Sequence, residues 1–376
     1  MNRNIIYIAL LSAAAALSAC VKERPPVPQP DNLPKAVGLS VDDAQTRGDV
    51  TSSADQILSL GIFGYSTGTE DFNASNPLHT PNLFADREAT RENVASVLTP
   101  WTYDPVALWP SDLNEKNTFF AYSPYQPEFP TDSDGEFVVS AASPGYPRIS
   151  YRVPSMVSEQ VDLLYSEFNA DVKNINYNTN TVHPGHVKYN MKHAMLWIRF
   201  IITTVDETGG SNPYPETYTI KEFSFTGGNI ITAGTFDMGT AAWSADPAFS
   251  GDADGYEAAT YEFDHLEGAP LIIPAGQTVP LTGATECLMM IPQNIVQATN
   301  LTTVYVLYTH NDGSGSPKTT ELYKTIPFPD VQLGHAGTVM TYIVKVSTSG
   351  AWITFRDDNT IEKWLQDPTD RPIETF

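Results

Sequence analysis

Two histidines, in His183-Pro184-Gly185-His186, are the nearest thing to a metal-binding pair in the chain. Imidazoles on a turn can hold zinc, yet the third and fourth ligands of a zinc site are missing, and a solvated interdomain turn accounts for the stretch. Asn311-Asp312-Gly313-Ser314-Gly315-Ser316-Pro317 is oxygen-rich like a calcium loop but lacks the repeated acids and the closing glutamate, so it reads as a hairpin turn. With 44 aspartates and glutamates, some pair must fall close in space by chance, and no glycosidase-like pair stands out. A phosphate-cradling glycine loop, a Gly-x-Ser-x-Gly elbow and a His-Glu-x-x-His helix are all absent from the sequence. Cys287 lies in the apolar run Cys287-Leu288-Met289-Met290-Ile291-Pro292 and reads as a small buried hydrophobe. Trp101, Trp109, Trp243, Trp352 and Trp364 could form a sugar platform, but aromatics in β-sandwiches more often build the core. No catalytic residue, metal ligand or cofactor site is expected, and the chain does not read as an enzyme.

The one covalent chemistry the sequence announces is at Cys20. Arg3 supplies a short positive region, and Ile5 to Ala16 an apolar stretch too short to span a bilayer comfortably, which together make a signal peptide. Leu17-Ser18-Ala19-Cys20 follows and resembles the bacterial lipobox: small residues admit a peptidase to the backbone, and the Cys20 thiol takes a diacylglycerol. Residues 1–19 are thus expected to be removed, leaving the body anchored to a membrane at ~0.8 kcal/mol per buried methylene. Cys20 and Cys287 are the only cysteines, so acylation of Cys20 rules out an intramolecular disulfide. Residues 20–35, with Pro25, Pro26, Pro28, Pro30 and Pro34, read as an extended tether.

The formal charge of −23 argues against nucleic acid or an anionic membrane surface as partner, since both call for basic patches. After the tether, Val37, Leu39 and Val41 alternate at period two, the mark of a strand buried on one face. A polar stretch from Asp42 to Ser53 follows and carries Arg47-Gly48. From there on, short runs rich in Val, Ile, Thr, Tyr and Phe succeed one another between Gly, Pro, Asn and Asp. They include Ile57 to Tyr65, Lys116 to Tyr122, Val187 to Ile202, Tyr218 to Phe225, Thr303 to Tyr308 and Thr338 to Val346. Only Glu88 to Leu98 and Asn359 to Leu365 suggest helix. Strand after strand without intervening helices predicts an all-β chain of antiparallel sandwiches. A boundary in the Asn/Thr/Pro/Gly-rich stretch Asn174 to Gly185 would divide it into domains 36–180 and 181–376.

The order of several segments resembles the Mfa-like fimbrillin family, the lipoprotein pilins of type V pili, over nearly the whole chain. After the lipobox and tether come Thr46-Arg47, Trp109-Pro110 leading to Phe119-Phe120-Ala121-Tyr122-Ser123-Pro124, and Val161-Asp162-Leu163-Leu164-Tyr165-Ser166. Val187-Lys188-Tyr189-Asn190-Met191-Lys192-His193-Ala194, Leu288-Met289-Met290-Ile291-Pro292-Gln293 and Gly337 to Val346 complete the series. The resemblance implies two transthyretin-like sandwich domains in tandem and a lipoprotein precursor carried to the outer membrane and cell surface. It also implies an arginine-specific protease, strand exchange with other pilin subunits, and a fimbrium that supports adhesion to a host or bacterial surface receptor. Cleavage between Arg47 and Gly48 would free the strand bearing Val37, Leu39 and Val41. Two alternatives stay open: Arg47 as a plain surface arginine in an accessory, anchor or tip subunit, and a surface lipoprotein that binds a glycan or another ligand.

Overall fold

A computed structural model describes residues 35–41, 54–95, 97–125, 136–140, 144–178, 185–209, 215–245, 256–281, 287–314, 318–330, 336–355 and 362–363. The chain divides into Met1–Lys35 and Ala36–Phe376; only Lys35 of the first unit is described, and all that follows concerns the second.

The strands are β1 (Gly38–Val41), β2 (Ser59–Ser66), β3 (Phe84–Thr90), β4 (Asn93–Val94), β5 (Val97–Leu98), β6 (Asn117–Ser123), β7 (Glu136–Ser140) and β8 (Arg148–Arg152). They continue as β9 (Leu164–Ser166), β10 (His186–Tyr189), β11 (Met191–His193), β12 (Leu196–Thr204), β13 (Thr217–Ile231), β14 (Ala233–Asp237), β15 (Ala242–Ala245) and β16 (Tyr256–Glu262). The last are β17 (Leu271–Pro274), β18 (Thr278–Pro280), β19 (Leu288–Met290), β20 (Thr303–Asn311), β21 (Thr319–Pro327), β22 (Thr338–Ser347), β23 (Gly350–Phe355) and β24 (Glu362–Lys363). Among the described residues two single-turn α-helices, α1 (His265–Gly268) and α2 (Gln297–Asn300), and 3-10 turns at Ala54–Gln56 and Val157–Glu159 interrupt them.

The sheet ordered β11-β9-β6-β2-β3 has apolar residues on both faces, because a core lies on each side of it. Leu60 and Ile62 of β2 and Phe119 and Ala121 of β6 point into one core. Phe63, Tyr65, Phe120 and Tyr122 point into the other. Period-two alternation therefore sends neighbouring residues to different cores, and β2 and β6 read as unbroken buried runs. Gly61 is required by packing: its Cβ would stand 2.0 Å from the Tyr122 ring.

Farther along the chain, β12 and β22 face β13 and β20 across the larger core, where Phe200 meets Phe223 at 4.8 Å and Phe328 meets Tyr342 at 4.5 Å between ring centroids. In β20 the alternation holds from Thr303 to Tyr308, with Val304, Val306 and Tyr308 buried and Thr303, Tyr305 and Leu307 half-buried, and it ends where Thr309 and His310 are buried as well. Strands from either side of residue 180 share one sheet, since β8 pairs with β14 through Ile149 opposite Phe236.

Three sequence expectations are corrected. Among the described strands two pairings are parallel, β1 with β10 and β12 with β22; parallel neighbours need long crossovers, and here whole sheets, rather than helices, make them. Glu88 to Leu98 is not a helix but the end of β3 followed by the β4–β5 hairpin. Pairing with β2 overrides the helical propensity, burying Ala89 opposite Leu60. Glu362–Lys363, inside the second proposed helix, is a short strand on β22, and the rest of that stretch lies outside the described residues. The turn at Asn311 to Pro317 does join an antiparallel pair, with Asn311 opposite Thr319.

Candidate functional site: the seat of the first strand

Val37 and Leu39 are 1% and 6% exposed, and Val41 packs half-buried against the same core, so the predicted apolar face of the strand is present. Their core is the smaller one, with Ile57, Leu60, Ile62, Phe84, Trp109, Phe119, Val187 and Tyr189. β1 pairs in parallel with β10, Gly38 opposite His186 and Val41 opposite Tyr189. Among the described residues these two strands form a sheet of their own, so β10 has no other strand beside it.

Loop groups and side chains add further hydrogen bonds. The Val37 N–H donates to the Ala107 carbonyl at 3.0 Å, and the Gly38 N–H to the Gly185 carbonyl at 2.9 Å. The Tyr103 hydroxyl donates to the Val37 carbonyl at 2.6 Å, and the Ser40 hydroxyl to the Val187 carbonyl at 3.2 Å. The Gly185 carbonyl also accepts the Trp109 Nε1–H at 2.8 Å. Gly185 has φ +83°, a conformation glycine adopts freely, and its carbonyl thereby serves both β1 and the floor of the seat. Burial pushes the Tyr103 hydroxyl up in pKa, against the opposing influence of its bond to Ala107 and of Arg87. Burial also raises that of Tyr189, whose hydroxyl has no hydrogen-bond partner among the described residues.

Arg47, Gly48 and Cys20 lie outside the described residues, as do His183 and Trp364. His186 opens β10, and its ring lies against Gly38 of β1. Among the described residues no group of three or more His, Cys, Asp and Glu side chains could hold a metal ion. Cys287 and Trp109 are buried, Trp101 and Trp243 half-buried, and Trp352 exposed. Sequence reasoning missed Tyr103, Trp109 and Gly185 as parts of the seat. The turn dipeptide Pro184-Gly185 was the available signal for Gly185; nothing local marks the other two, which reach β1 from distant positions.

The described residues thus build a sheet-layered body whose strand β1 lies over an apolar seat. The family model described as fimbrillin-like matches residues 46–364, and the chain belongs to that family, whose members are structural and not enzymes. The match begins beyond β1. Fimbrium subunit Fim1C of Phocaeicola vulgatus is 24% identical over 384 residues, covering 95% of this chain and 96% of that protein. The crystal structure of a fimbrial protein from Bacteroides vulgatus superposes with a TM-score of 0.65 at 20% identity, covering 86% of this chain and 98% of that one. That likeness establishes the fold.

Proposed function

We propose that the protein is a fimbrial structural subunit, exported as a lipoprotein through Cys20 and assembled at the outer membrane by strand exchange. The observation that carries this reading is the position of β1: N-terminal, apolar on its inner face, and seated on a core whose other walls come from residues after 56. A cut between Arg47 and Gly48 would leave β1 attached to the body by non-covalent contacts alone. Its loss would expose the β10 backbone and the pockets of Val37 and Leu39, and a strand of the same period from another subunit would satisfy both. Head-to-tail exchange of this kind does not close on itself and propagates as a filament.

The tandem-sandwich organisation over 36–180 and 181–376 belongs to this reading. What supports it is the confinement of the facing β12/β22 and β13/β20 sheets to residues after 195, while the smaller core draws Val187, Tyr189 and Met191 from beyond residue 180 and the larger core runs from Phe63 to Ala351. The donor is placed in the C-terminal segment around Arg371 to Phe376.

The test is to treat purified precursor with an arginine-specific protease and follow its size. Assembly after the cut, and its absence in Arg47→Ala, are the expected results. A cut product that stays monomeric at high concentration, or surface filaments from Arg47→Ala, would remove strand exchange and leave an accessory or ligand-binding role.

A further inference from the structure

Gly38 is the first residue of β1, and its backbone has no need of glycine: its φ is not among the positive values found at other glycines. The reason for glycine lies across the ladder. An ideal Cβ at Gly38 would stand 2.6 Å from Cδ2 and 2.7 Å from both Cγ and Nε2 of His186, its register partner. Near-equal distances to three ring atoms put the face of the imidazole over the Gly38 Cα. The same ring brings Nδ1 to 3.4 Å from the Leu39 carbonyl. His186, itself exposed, thus lies over the outward side of β1, at the residue without a side chain between Val37 and Leu39, whose own side chains are buried on the other face.

We infer that His186 is a selectivity gate on the strand seat, admitting a strand with glycine between two inward apolar residues and rejecting one with a side chain there. The inference deepens the strand-exchange reading and rests on it for its consequence. Residues Arg371 to Phe376 contain no glycine, so that segment, entering in the register of β1, needs the His186 ring turned away first. A partner segment of the form apolar-Gly-apolar enters with the ring in place. The gate therefore favours the chain's own β1 over most competing strands until the ring moves.

The physical sign makes the test discriminating. On backbone grounds alone, alanine in place of an extended glycine in a strand should strengthen β1, because glycine loses more conformational freedom on folding. Crowding against the ring, so long as it keeps its place beside the Leu39 carbonyl, predicts the opposite. Hydrogen exchange of the 37–41 amides in the uncut full-length chain, referenced to the amides of β2 and β6, separates the two. Gly38→Ala is expected to lower protection of β1 by about tenfold or more while β2 and β6 keep theirs. In the His186→Ala background the same substitution should cost less than about threefold, which closes the cycle on this pair. Wild-type protection in Gly38→Ala, or an equal loss in both backgrounds, would overturn the gate. Should Gly38→Ala fail to fold, recovery of folding in the double variant is the same readout, and no recovery is the same refutation. Because these amides are read before any cut, a cleaved product that stays monomeric counts against strand exchange and not against the gate.

Discussion

Leu39→Ala should loosen β1 without unfolding the body, because its side chain is one of the two that the seat buries. Burying Val37 and Leu39 contributes ~1.5–3 kcal/mol each, and each hydrogen bond of β1 about 0.5–1.5 kcal/mol. Ordering each residue of the segment costs ~1–2 kcal/mol, so gain and cost are similar in size and β1 is held by a margin of a few kcal/mol. Deleting a buried leucine down to alanine costs about 2–5 kcal/mol, which spans that margin. At 1.4 kcal/mol per tenfold, the N-terminal fragment of cleaved protein should dissociate about 30 to 4,000 times faster, the change falling mainly on the off-rate. In unlipidated full-length chain a dye placed on Cys20 reports the release, since the second cysteine, Cys287, is buried. After cleavage at Arg47, fluorescence anisotropy falls as the labelled fragment leaves. Equal release rates for wild type and Leu39→Ala would refute the argument that apolar burial holds β1.

Trp109→Phe keeps an aromatic ring against Phe119 but removes the donor to Gly185, and should lower unfolding stability by about 0.5–1.5 kcal/mol in urea titration. His193 and Asp162 hydrogen-bond at 2.8–3.0 Å with side chains 0% and 1% exposed; His193→Ala strands the carboxyl in the core, with an expected loss of about 3–5 kcal/mol by the same measurement. Burial raises the folded pKa of Tyr103 and Tyr189 above the ordinary value of 10.0, so the folded state keeps protons that the unfolded state loses. Their contribution is complete below pH 10 and is lost as the pH climbs beyond it, at about 1.4 kcal/mol per pH unit for each tyrosine. Urea midpoints should fall between pH 9 and pH 11, less steeply in Tyr189→Phe.

Where a feature depends on neighbours in the chain, it was legible. The alternation of Val37, Leu39 and Val41 reads as a one-sided strand because side-chain direction in extended backbone repeats every two residues, and the structure buries that face. The same holds for β20 and for the turn after Asn311. Residues 88–98 failed for the complementary reason: their helix-forming composition is a weak local preference, and pairing of β3 with β2 outweighs it.

The sequence by itself determined that the chain is β-rich, that its first strand has one apolar face, and that an arginine in a polar stretch follows it. Tertiary structure alone decided what that strand touches. Parallel pairing with β10, the carbonyl of Gly185 shared between Gly38 and Trp109, and the His186 ring over Gly38 join residues as far as 148 positions apart, from 38 to 186. Periodicity is set by the backbone of one segment, whereas partners and close approaches are set by how whole sheets stack, and no local pattern encodes them.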